Sequence, residues 1–156
     1  MVSTINQLRK GACLLFWGEY RHKFDEKSRL FLPSKLRDKL GQSFMLYNGI
    51  GECLILSSME NLQNFIDKIE ALEMARDANI RRYFYPSITE VSPDAQGRIV
   101  IPSEHRKHAK LGLKENVVIV GQNRYIELWN EEKWDADREK SRSNNSIEAR
   151  LIELGF

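Results

Sequence analysis

Tyr20-Arg21-His22-Lys23-Phe24-Asp25-Glu26-Lys27-Ser28-Arg29-Leu30-Phe31-Leu32-Pro33-Ser34-Lys35-Leu36-Arg37 has a second copy further along the chain. It reads Thr89-Glu90-Val91-Ser92-Pro93-Asp94-Ala95-Gln96-Gly97-Arg98-Ile99-Val100-Ile101-Pro102-Ser103-Glu104-His105-Arg106. Asp, Arg, Pro, Ser and a second Arg coincide at one constant offset, and three apolar residues separate Arg from Pro in both copies. A lone Asp-x-x-x-Arg is a weak signal. Its recurrence with the same sequel marks an internal duplication, and a duplication governs how the whole fold is read.

Local chemistry is consistent in the two copies. Tyr20, His22 and Phe24 alternate with Glu19, Arg21 and Lys23, the period of a half-buried strand. Asp-Glu-Lys-Ser and Asp-Ala-Gln-Gly are turn compositions, in which Asp bonds forward to the backbone and Gly97 supplies a positive φ. Leu30–Leu32 and Ile99–Ile101 follow as short apolar strands, ended by Pro33 and Pro102, which have no ladder N–H. Ser34 and Ser103 are the expected caps of short helices that stop at Gly41 and Gly112.

Ser43–Tyr47 and Val117–Gly121 then predict strands that turn into Cys53–Leu56 and Arg124–Trp129. A helix closes each half: Ser57-x-x-Glu60 reads as a capping box, and Asn130 as the cap of the matching helix, with Trp134 on its inner face. Four short strands enclose too little surface for a core of their own. The two copies are therefore expected to pair about a pseudo-twofold axis within one α+β chain. The divisions are an N-terminal extension 1–15, a first repeat 16–74, a connector 75–87, a second repeat 88–142 and a terminal helix 143–156. Tyr83, Phe84 and Tyr85 are expected to be packed core. The stripe Ile147, Leu151, Ile152 and Leu154 is left open between packing on the body and on a neighbouring subunit.

The net charge of +2 conceals two basic segments. Gly18–Leu40 has seven bases against four acids and Asp94–Lys114 five against two, so each carries +3, whereas Ser57–Ala78 carries −3. Gathered positive charge suits a polyanionic partner. The apolar runs Leu14–Trp17 and Val117–Val120 fall far short of the roughly 20 residues of a spanning helix. Lys10-Gly11-Ala12-Cys13 hints at a lipoprotein site, but Met1–Arg9 lacks a signal-peptide core. Cys13 and Cys53 have no paired spacing, so two reduced thiols in a cytoplasmic protein are expected, with Cys53 in the core.

The stretch from Gly18 to Arg37, followed by Asp94-x-x-Gly97-Arg98-Ile99-x-Ile101-Pro102, closely resembles the MraZ family of bacterial regulators. The resemblance runs from about Phe16 to Arg142. It implies an AbrB-like swapped-hairpin (double-split β-α-β) architecture in which two β-α-β half-units form an intramolecular pseudo-dimer. It also implies ring-shaped homo-oligomers, associated with the nucleoid, on short direct repeats upstream of their own operon, the division and cell-wall gene cluster. Two features depart from the family. Ser28 stands where the first turn usually has Gly, a strain of about 1 kcal/mol if φ is positive there, so the first turn is expected to differ in shape from the second. The residues before Phe16 extend beyond the usual start, either as a tail or because translation begins near Leu14 or Leu15.

A turn between strands enters a major groove about 12 Å wide, and the Arg fork matches guanine O6 and N7. Arg29 and Arg98 are assigned this role or a phosphate contact at the groove edge. Asp25 and Asp94 brace the turns rather than meet phosphate. Arg21, Lys23 and Lys27 are the expected phosphate contacts, with Lys35 and Arg37 as further options. The first turn, denser in charge, is expected to carry most of the DNA contact. No catalytic, cofactor or metal set is expected, and neither a small-molecule substrate nor a membrane partner. His105 and His108 lack a third ligand with metal spacing and read as surface polar residues. The alternative to specific DNA binding is an antitoxin-like or purely structural oligomeric module.

Overall fold

A computed structural model describes residues 15–156. Cys13, the lipoprotein-like stretch and the alternative start at Leu14 lie outside the described residues. The first half runs β1 (Glu19–Lys23), β2 (Arg29–Phe31), α1 (Ser34–Leu40), β3 (Phe44–Asn48), β4 (Leu54–Ser57) and α2 (Met59–Glu70). Helix α3 (Met74–Phe84) and a 3-10 turn (Tyr85–Ser87) lead into the second half. That half repeats the order as β5 (Thr89–Val91), β6 (Arg98–Val100), α4 (Ser103–His108), β7 (Asn116–Gly121), β8 (Ile126–Asn130) and α5 (Glu131–Ser143), followed by α6 (Ser146–Glu153).

Six strands form one antiparallel sheet in the order β1-β7-β8-β4-β3-β5, and β2 pairs with β6 in a separate two-stranded ribbon. The order is a palindrome of the repeat. β1 corresponds to β5, β7 to β3 and β8 to β4, so a pseudo-twofold axis passes between β8 and β4. Each half lends its first strand to the other: Tyr20 lies opposite Ile119, and Glu90 opposite Met45. Leu30 pairs with Ile99 across the ribbon. This is the swapped-hairpin α+β pseudo-dimer that the resemblance implied.

Strand alternation divides the core between the two faces of the sheet. Leu46, Leu54, Leu56, Val117, Ile119 and Leu128 turn inward and meet Leu30, Leu32, Ile99 and Ile101 beneath the ribbon, all buried. Met45, Tyr47 and Ile55 turn outward under Leu62, Phe65 and Ile66 of α2, and Val118 and Val120 under Trp134 of α5. Both faces are covered, which accounts for the near-continuous apolar reading of β3, β4 and β7. Cys53 is buried, as expected.

Several local expectations are corrected. Ser58, not Ser57, caps α2 by accepting from the Asn61 N–H at 3.1 Å. Ser57 ends β4 with its hydroxyl buried 2.8 Å from the Tyr47 Oη. Ser34 and Ser103 are first helical residues without a cap bond, because Pro33 and Pro102 occupy the cap positions. The Pro33 and Pro102 carbonyls accept from the Arg37 and Arg106 N–H groups at 2.9 and 3.0 Å. Gly41 ends α1 at φ +87°, but α4 stops earlier, with Lys110 rather than Gly112 left-handed. Asn130 does cap α5, accepting from the Lys133 N–H at 2.9 Å. Of the three connector aromatics only Phe84 packs on a core cluster; Tyr83 is exposed, and the half-buried Tyr85 donates its hydroxyl to Glu70. Ile147, Leu151, Ile152 and Leu154 of the terminal stripe stay exposed.

Candidate nucleic-acid interface

Each β1–β2 and β5–β6 connection is closed by its aspartate. Asp25 Oδ1 accepts the Lys27 and Arg29 backbone N–H groups at 2.9 Å each, and its Oδ2 accepts the Arg29 Nε–H at 2.7 Å. Asp94 does the same with Gln96, Arg98 and the Arg98 Nε, each at 2.9 Å. Backbone bonds match as well: Ser28 N to Asp25 O at 3.1 Å, and Gly97 N to Asp94 O at 3.0 Å. Ser28 adopts φ +61° and Gly97 φ +80°. Ser28 does take a positive φ, but the turns do not differ in shape as expected, because the forward bonds of Asp25 hold Ser28 in the left-handed region.

Pairing of β2 with β6 brings the two turns together. Arg29 Nη1 lies 3.7 Å from Asp94 Oδ2, and Arg98 Nη1 lies 3.5 Å from Asp25 Oδ2, so each guanidinium bridges its own carboxylate and the other's. Partial desolvation pushes the Asp25 carboxyl up, but the Arg29 N–H and guanidinium outweigh it and hold Asp25 below the ordinary carboxylate value. Asp94 is likewise lowered, first by the Arg98 backbone N–H. The four-residue cluster is electrically neutral. Long-range attraction of a polyanion must therefore come from its surroundings.

Alternation along the ribbon puts Leu30 and Ile99 inward, and Arg29, Phe31, Arg98 and Val100 on the outer face. Phe31 and Val100 are exposed, at 38% and 56%. They are the middle residues of the apolar triplets, and strand alternation was the signal that could have marked them as outward. Phe31 is flanked by His22, with ring centroids 5.2 Å apart, and by the Arg37 guanidinium at 5.8 Å. Arg37 also lies over Gly97, where an added Cβ would sit 1.2 Å from its Nη1. Its repeat counterpart Arg106 bonds instead to the Ile101 carbonyl at 3.2 Å.

The other predicted contacts separate. Lys27 is exposed in the first turn and Lys23 at the end of β1, neither with an ion pair among the described residues, but strand alternation puts Lys23 on the face away from the ribbon, the same as Arg21. Arg21 points to the opposite face of the sheet. There it meets Asp135 at 2.7 Å, Glu19 at 3.1 Å and Glu131 at 3.5 Å, and its pKa is raised, chiefly by the Asp135 hydrogen bond. Lys35 is exposed on α1. His105 corrects an expectation, since it is buried with Nε2 on the Ser87 carbonyl at 2.7 Å. Ser87 is brought there by the 3-10 turn that α3 leads into. Among the described residues no helix is long and apolar enough to cross a membrane.

Duplicated β-α-β units, exchanged first strands and a charged ribbon on the axis define a tandem AbrB-like swapped-hairpin protein. A family model described as "MraZ protein, putative antitoxin-like" matches residues 15–82 and again 85–154. The chain is 37% identical over 146 residues to the transcriptional regulator MraZ of Acetivibrio thermocellus, covering 91% of this chain and 100% of that one. The protein of the same name from Alkaliphilus metalliredigens is 38% identical over 145 residues, covering 91% and 100%. That from Heliobacterium modesticaldum is 37% identical over 143 residues, covering 90% and 99%. The chain belongs to the MraZ family.

Proposed function

We propose that this protein is a transcription regulator that binds double-stranded DNA through the β2–β6 ribbon and the two turns flanking it. The observation that carries this reading is the convergence of both Asp-x-x-x-Arg turns, separated by a whole half-unit in sequence, into one cross-bonded surface on the pseudo-twofold axis. A two-stranded ribbon is a shape that enters the major groove. Arg29 and Arg98 then read guanine edges, Phe31 and Val100 meet thymine methyls, and Lys27 and Arg37 neutralise phosphates. Asp25 and Asp94 act as braces that keep the guanidinium planes fixed. Arg21 serves a structural tie between β1 and α5, because three carboxylates already surround it.

The turns contribute unequally. Gln96 Oε1 accepts from the Arg98 Nη2 at 2.7 Å, whereas the Arg29 Nη2 has no partner among the described residues. Arg29 thus offers a donor at no exchange cost, and the first turn carries more of the readout. One ribbon buries little DNA, so useful affinity comes from several subunits on repeated sites. The target, direct repeats upstream of a division and cell-wall operon that includes its own gene, rests on the family resemblance, as do the ring assembly and nucleoid location. A salt-dependent gel shift on that upstream DNA tests the reading, with Arg29→Ala losing the specific shift while oligomer size is unchanged. A wild-type shift by that variant removes Arg29 from the interface.

A further inference from the structure

The connector forms one wall of a cavity. It has a volume of about 610 Å³ and lies between β3, the α3 and 3-10 segment, and α4. Ligand pockets span roughly 300–1,000 Å³. Asn48, Arg82, Tyr83, His105, Lys107 and His108 line it, with Glu104 the one acid at its wall. Glu104 is paired to Lys107 at 3.1 Å, while Arg82 bonds only to Asn79, at 3.1 Å, and meets no carboxylate among the described residues. Cationic and hydrogen-bonding groups therefore exceed acidic ones around a concave space.

His105 makes this more than a basic dent. The repeat places it where the first half has Leu36, a buried core side chain. His105 is 8% exposed, and its Nε2–H is used by the Ser87 carbonyl, but its Nδ1 is buried with no partner among the described residues. A core position has thus been given a polar ring that the fold does not satisfy, at the wall of the cavity. His108 stands one turn on, with its Nε2 3.3 Å from the Tyr83 hydroxyl, which itself donates to the Gly49 carbonyl. The Tyr83 ring offers a half-open flat face beside these donors.

We propose that this cavity binds a small organic anion, with Arg82 and Lys107 meeting its phosphate or carboxylate group and Tyr83 and the two histidines its body. Charge-assisted bonds from Arg are the strong, geometrically specific ones for such groups. The site stands apart from the ribbon and is tested without DNA.

The chain has only three histidines, so side-chain 15N spectra of the full-length protein assign each ring, and the Trp134 indole N–H, bonded to Glu19 on the α5 face, is the internal control. Titration with inorganic phosphate, citrate and adenosine 5′-monophosphate is expected to shift His105 and His108 saturably and leave the Trp134 indole in place. The phosphate and carboxylate probes distinguish which oxyanion is preferred. Arg82→Ala, on an exposed position, is expected to weaken binding about tenfold, one charge-assisted contact's worth. His105→Leu restores the residue of the repeat and is expected to fold, with the Ser87 carbonyl losing its partner, while losing the response of His108. The proposal is overturned if no probe moves His105 or His108, if the Trp134 indole moves equally, or if Arg82→Ala binds like wild type.

Discussion

Gly97→Ser and Ser28→Gly exchange the residues of the two turns, and the structure gives both signs. Position 97 has φ +80° and position 28 φ +61°, a region that disfavours a side chain by roughly 1–2 kcal/mol. Against this, a glycine leaves the unfolded chain freer by roughly 0.4–1 kcal/mol. The net effect is about 1 kcal/mol, lost by Gly97→Ser and gained by Ser28→Gly. The clash at position 97 adds little, because the atom 1.2 Å from the new Cβ is the free end of Arg37, which can swing away. Ser28 already demonstrates that the turn closes with a Cβ in place. For a chain of this length 1 kcal/mol corresponds to roughly 2–4 °C in melting temperature, so calorimetry should show two shifts of that size and opposite sign. A fall of more than about 10 °C for Gly97→Ser, or any fall for Ser28→Gly, would refute the equivalence of the turns.

Three further outcomes follow from the packing and the charges. Leu30→Ala, beneath the ribbon, should cost about 2–5 kcal/mol in urea unfolding, whereas Val100→Ala on its outer face should stay within about 0.5; similar losses for both would contradict the inward and outward assignment. Asp25 and Asp94 have folded pKa values below their unfolded ones, so their stabilisation is full above about pH 4 and lost as pH falls through the folded values. Melting temperature should therefore fall less steeply below pH 4 in Asp25→Asn/Asp94→Asn than in wild type, and parallel curves would remove the cluster from acid unfolding. Lys27→Ala should reduce the slope of log affinity for DNA against log salt by about one. Arg21→Ala should leave that slope unchanged and lower stability by at most about 1 kcal/mol; the reverse pattern would return Arg21 to the interface.

The duplication made most of the fold legible. Matching Asp, Arg and Pro positions give the strand order of each half, and two half-units too small to close alone imply a shared core. The exchange of β1 and β5 was not readable from pattern, since the alternation of Tyr20 and His22 says which face is buried and not which strand lies alongside. Helix starts were misplaced by one residue because Ser57 and Ser58 are equally good caps, and only the Tyr47 hydroxyl decides between them. The carboxylates around Arg21 come largely from α5, far along the chain, so its local charge pattern suggested a free cation. His105 could have been suspected earlier, since its repeat partner is Leu36. Arg37 needed the structure, because its contact with Gly97 crosses from one half to the other.

If both turns form one DNA-reading surface, each guanidinium contributes to the same specific contact. The most direct measurement is the affinity of wild type, Arg29→Ala, Arg98→Ala and the double variant for DNA from upstream of the gene, at matched salt with unrelated DNA as competitor. Each single variant is expected to lose specific affinity, by about 1–3 kcal/mol where a bidentate guanine contact is lost, Arg29→Ala more than Arg98→Ala, and the double variant to fall to the level of unrelated DNA. Four proteins with the same preference for the upstream sequence, all folded and equally assembled, would contradict it.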